Sequence, residues 1–133
     1  MKYSKEAVYT YVHDAIREHY PNSYITGRRV AKPAQFPACL ITEIDRNRPQ
    51  QNIQLDFQDE QWESVFEIQV VSVKPKAASV EASDIMDIAR KAFNDLYYWE
   101  FTETNVDNGV TYTLIGRFRR VIGGGDSMPT ISA

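Results

Sequence analysis

Val8, Val12, Ala15 and Ile16, continued by His19, recur at the three-and-four spacing of one helix face, while Glu6, Asp14, Arg17 and Glu18 lie elsewhere on the circumference. This predicts a first helix from about Ser4 to His19, which Pro21 stops because its ring cannot continue the turn. A second and cleaner stripe runs through Ile85, Ala89, Ala92, Phe93 and Leu96, with Asp84, Asp87, Arg90, Lys91 and Asp95 outside it. Glu81 and Asp84 sit near its start, where carboxylates suit the positive end of the helix dipole.

The remaining apolar positions follow a period of two. Ser23 to Val30 has strand composition, interrupted by Gly27, and Lys32 to Pro37, with two prolines, reads as a rigid extended connection. From Ala38 to Arg46, Leu40 and Ile44 point one way and Cys39, Ile41, Glu43 and Asp45 the other. Asn47 to Gln61 is polar; Ile53, Leu55 and Phe57 make it either a short edge strand or a docking loop. Trp62, Phe66, Ile68 and Val70 define a long strand with Glu63, Glu67 and Gln69 on its other face, ending at Lys74-Pro75-Lys76. Tyr97 to Thr104 and Val110 to Ile122 flank the turn signal Asp107-Asn108-Gly109 and form a terminal hairpin.

These elements assemble into an α+β fold: a mostly antiparallel sheet of four to five strands with two amphipathic helices packed on one face. Residues 1–122 form a single domain, and residues 123–133, opened by Gly123-Gly124-Gly125, form a flexible C-terminal tail that orders when a partner holds it. The far face of the sheet then needs cover. Val71, Val73 and Ile115 fall where a solvated sheet carries polar groups, so they either finish the core at the sheet's end or meet another subunit.

Composition narrows the function. With 133 residues, 43% of them hydrophobic, the chain builds one real core. A net charge of −3 disfavours a protein that grips nucleic acid by neutralising phosphates. The single Cys39 forms no internal disulfide and, with two His residues elsewhere, no zinc site, which suits a reducing cytoplasm during assembly. The opening residues lack the apolar run of a signal peptide, and no apolar segment reaches the ~20 residues that span a bilayer.

Catalytic chemistry is hard to assemble from this chain. His13 and His19 lie six residues apart on one helix, off the spacing at which two side chains share a metal. Asp56, Asp59 and Glu60 lack the glycine turn and alternating ligands of a calcium loop. The triple glycine precedes no helix, so it cradles no phosphate, and Cys39 sits in an apolar strand as a small hydrophobe. No catalytic residue, metal or cofactor is expected.

One charge pattern is left over. Arg117 and Arg119 share a strand face turned away from Phe118, joined by Arg120; Arg28 and Arg29 mark the first strand, and Asp45 and Arg46 close the second. They either solubilise the outer face or act as subunit and partner contacts for the acidic groups Glu63, Glu67, Asp56, Asp59 and Glu60.

The run from Pro33 through Phe36-Pro37-Ala38-Cys39-Leu40-Ile41-Thr42-Glu43-Ile44-Asp45, the polar loop, the Trp62 to Val70 strand, the helix at Ile85 to Leu96 and the Arg117-Phe118-Arg119-Arg120 strand with its glycine exit resemble the small tail-terminator or tail-completion proteins of long-tailed bacteriophages and prophages. Head-completion and minor capsid neck proteins look similar. The resemblance implies a ring-forming structural subunit, commonly a hexamer, on the head-proximal end of the tail. Such a ring stops the tube protein from polymerising and meets the head connector, while DNA passes through the lumen without specific binding. A monomeric ligand- or peptide-binding module is the contrasting reading.

Overall fold

The computed structural model describes residues 4–27, 36–47, 61–73 and 78–123. Its elements run α1 (Lys5–His19), β1 (Tyr24–Thr26), β2 (Ala38–Asn47), β3 (Gln61–Ser72), α2 (Ala78–Asp95), β4 (Trp99–Asp107) and β5 (Tyr112–Gly123). Ser4 starts α1 from an extended conformation, its side chain accepting the Ala7 amide at 3.1 Å. That satisfies one of the amides that a helix start leaves without a partner.

The sheet order is β1-β2-β3-β5-β4. β1 pairs parallel with β2, beginning with the Tyr24 amide on the Pro37 carbonyl at 2.9 Å, and every other neighbour is antiparallel. Both helices pack on one face, as the two apolar stripes require. Val8, Val12 and Ile16 of α1 and Ala82, Ile85, Met86, Ala89, Ala92 and Phe93 of α2 are buried against Cys39, Ile41, Phe66, Ile68, Val70, Leu114 and Phe118. Phe93 stacks on Phe118 with centroids 4.5 Å apart, and Phe66, Phe93 and Tyr98 meet at tilted or edge-on angles, contacts worth about 0.5–1.5 kcal/mol each beyond area burial.

Gly116 lets α2 approach the sheet: a Cβ there would lie 3.0 Å from Met86 Sδ and 3.3 Å from Glu100 Oε2. Arg90 then bridges α2 to β4, donating to Glu100 at 3.1 Å and Glu103 at 3.3 Å and pairing with Asp87 on its own helix. Tyr11 of α1 donates to Asp95 of α2 at 3.1 Å.

Two bulges re-aim side chains. Glu43 faces Phe66 while Asp45 faces Val65, leaving Ile44 as an extra residue. Strict alternation put Glu43 and Asp45 on one face; the bulge corrects this, sending Glu43 to the helix side and Asp45 to the outer side. On the other edge, Glu100 faces Phe118 and Thr102 faces Arg117, so Phe101 is extra.

α2 starts seven residues before Ile85, at Ala78, because Ala82 extends its buried stripe without a large side chain to announce it. The terminal hairpin forms as expected.

Candidate interaction surface

The sheet face turned away from both helices carries four rows of side chains, read across the register from β2 through β3 and β5 to β4. They are Asp45, Val65, Arg119, Trp99; then Thr42, Glu67, Arg117, Thr102; then Leu40, Gln69, Ile115, Thr104; and finally Ala38, Val71, Thr113, Val106. Val71, Val73 and Ile115 are half-buried.

The expected basic stripe of Arg117 and Arg119 is present on this face, with Phe118 buried behind it, but its two guanidiniums have different surroundings. Arg117 Nε donates to Glu67 Oε2 at 2.9 Å. The β3–β5 register sets these two side chains opposite each other, so the pair closes within one chain. Arg119 instead lies 5.5 Å from the ring centroids of both Trp99 and Phe101, in cation–π contact with two aromatics that are 45% and 42% exposed. Glu63 sits opposite Val121 at the sheet's end.

Arg120 faces the helix side. Its guanidinium donates to the Leu96 carbonyl at 3.0 Å and lies 5.3 Å from the Tyr97 ring, where it meets the negative end of α2. Arg46 turns to the same side and grips Glu43 through three hydrogen bonds of 2.9–3.1 Å. Glu43 also accepts from Ser64 Oγ at 2.7 Å, and Ser64 in turn accepts from Tyr98 at 2.8 Å. Sequence reasoning missed this network because it left Glu43 on a charged strand end. Arg28, Arg29, Asp56, Asp59 and Glu60 lie outside the described residues, as do the polar loop and most of the tail.

The cysteine and the two histidines lie away from this face. Cys39 is buried, and desolvation pushes its thiol up to about 12, so no nucleophilic thiolate forms near neutral pH. His13 pairs with its neighbour Asp14 at 2.9 Å, and His19 Nδ1 reaches the Ala15 carbonyl at 3.3 Å. A cleft of about 530 Å³ opens between α1 and the β1–β2 edge, lined in part by Tyr9, Thr10, Ile25 and Glu43. Of its two carboxylates, Glu6 and Glu43, the second is already held by Arg46 and Ser64. Among the described residues no group of three or more His, Cys, Asp and Glu is placed to hold a metal ion, and no helix is long and apolar enough to cross a membrane.

No protein-family model matches the chain, and no curated protein sequence matches it. Among solved structures it is similar to a chain from the virion of a native gene transfer agent (GTA) particle, with a TM-score of 0.57 and 12% identity, covering 92% of this chain and 100% of that one. At this identity the likeness establishes a shared fold.

Proposed function

We propose that this chain is a structural virion protein, a tail terminator whose copies form a ring that caps the tail tube and joins it to the head connector. The observation that carries this reading is the fold it shares, over the whole length of the other chain, with a component of a GTA virion particle. The sequence resemblance to tail terminators supplies the finer role. An exposed sheet face with a solvent-facing Trp, Phe and Arg supports the assembly part of it, because these residue types dominate protein–protein hot spots.

The ring works in the virion neck, after assembly in the host cytoplasm, and its partners are copies of itself, the tube protein and the connector. Asp45, Glu63, Arg119 and the outlying Arg28, Arg29, Asp56, Asp59 and Glu60 are its candidate contacts. DNA crosses the lumen unheld, consistent with a chain of net charge −3.

The test is electron microscopy of particles made without the protein, and of purified protein mixed with tube protein. Overlong or headless tails, with ring caps on tubes when the protein is restored, are the expected result. Tails of normal length on heads that fail to retain DNA would replace this role with head completion. Complete, infectious particles would remove the structural role altogether.

A further inference from the structure

The β4–β5 hairpin carries complementary groups at its two ends. At one end, the Arg119 guanidinium lies 5.5 Å from the ring centroids of Trp99 and Phe101, with the exposed Val121 two residues along the same strand, and among the described residues it meets these rings and no carboxylate. At the other end, the turn residue Val110 is 77% exposed, more than any other large hydrophobic among the described residues. Asp107 ends β4 just before this turn; its carboxylate accepts one amide bond, from Gly109 at 2.9 Å, and meets no cation among the described residues. The two ends lie about 25 Å apart along the strands, too far to meet within one chain.

We propose that the hairpin tip of one copy docks on the Trp99–Arg119–Phe101 cluster of the next copy, with the exposed Val110 of the turn against the rings and Asp107 on the guanidinium. This rests on the ring reading and names its subunit contact. The cation–π contacts hold the exposed Arg119 guanidinium beside the rings while its N–H groups stay open to donate to an incoming carboxylate. The contact joins two different patches; repeated head to tail it generates a ring when the rotation closes, whereas reciprocal exchange between two copies would give a twofold dimer.

Twofold pairing of the β4 edges is disfavoured by the strand's own charges. β4 holds Glu100, Glu103 and Asp107 and no Lys or Arg, and the one Arg90 that its two glutamates share with Asp87 leaves this edge net acidic. Antiparallel pairing about its middle would set Glu103 against Glu103, and like charges directly opposite destabilise a strand pair. The acidic edge thereby guards against the symmetric competitor.

The experiment is a charge swap on the full chain, read by sedimentation across a concentration series. Arg119→Glu and Asp107→Arg should each weaken self-association by about tenfold or more, and the double variant should recover to within about threefold of the parent. All four proteins should keep the same circular dichroism, because both side chains are exposed. In parallel, Val110→Cys and Val121→Cys proteins are mixed with a short bis-maleimide. Cross-links between the two variants, exceeding those within either, are expected, and the buried Cys39 supplies no background. Single reversals without effect, a double variant that fails to recover, or absent mixed cross-links would each overturn the contact. If the swap fails yet particles lacking the protein have overlong tails, the contact is wrong and the terminator role stands. If the swap succeeds and tails are normal, the contact stands and the role is wrong.

Discussion

Tyr98 donates its hydroxyl to Ser64 Oγ at 2.8 Å, tying the residue that follows the α2 turn to a strand on the sheet's central axis. Both side chains are buried, and Ser64 passes the chain of hydrogen bonds on to Glu43 at 2.7 Å. Tyr98→Phe removes one donor and leaves the Ser64–Glu43 bond intact, at an expected cost of about 1 kcal/mol. Ser64→Ala takes the tyrosine hydroxyl's acceptor and a donor from Glu43 at once, so it should cost more, about 1–3 kcal/mol. Urea unfolding that ranks the two the other way would contradict the network's direction.

Burial, the leading cause in each case, pushes the Tyr98 hydroxyl from 10.0 and the Cys39 thiol from 9.0 up to about 12. Each folded value is raised, so both groups hold their protons more tightly in the folded than in the unfolded chain. The stability this contributes is complete below the unfolded values and is lost as pH rises from about 9 through 12. Unfolding midpoints should therefore fall across that alkaline window. Cys39→Ala with Tyr98→Phe should flatten the decline, even though the double variant starts from a lower stability; an unchanged slope would mean other groups govern it.

What the chain disclosed in advance follows from period. The stripes Val8–Ile16 and Ile85–Leu96 fixed both helices and the face they cover, since large apolar side chains at helical spacing have no other use. Register-dependent facts stayed hidden. Nothing local announces that Ile44 or Phe101 will be an extra residue in its strand, yet those bulges decide that Asp45 faces outward and that Phe101 reaches Arg119. The parallel pairing of β1 was equally silent, because side-chain alternation is the same in either direction. For the candidate surface, alternation correctly put Arg117 and Arg119 on one face; only the strand order revealed that Glu67 claims the first and aromatic rings the second.

Tyr97 holds a left-handed backbone, φ 65°, where helices usually place glycine. The bonds Tyr98 N to Phe93 O and Tyr97 N to Asn94 O, both 2.9 Å, close α2 in a Schellman arrangement around it. Tyr97→Gly relieves the backbone strain, whereas Tyr97→Ala keeps it, and both lose the ring beneath Arg120. The glycine variant should be the more stable of the two by about 1 kcal/mol, measured by thermal and urea unfolding.

Gly116 faces Met86 with no room for a branched side chain. Gly116→Val should separate α2 from β5 and cost about 1–3 kcal/mol, with Met86→Ala in the same chain recovering part of the loss by vacating the space. Strictly additive costs in the double-mutant cycle would show that the contact does not limit packing.

Arg117 and Arg119 stand two residues apart on one strand face and should fail differently when changed. Arg117 spends its guanidinium on Glu67 inside the chain, and because it is about half exposed, with a side-chain exposure of 48%, Arg117→Gln should lower stability by no more than about 1 kcal/mol. The same change should leave self-association within about twofold, since a guanidinium already paired has little left to offer a neighbour. Arg119→Gln should leave the unfolding midpoint nearly unmoved, because its ring contacts are solvent-facing, and should weaken association by about tenfold. Unfolding and sedimentation measured on the same two variants separate fold from assembly; parallel losses in both would place the two arginines in one role.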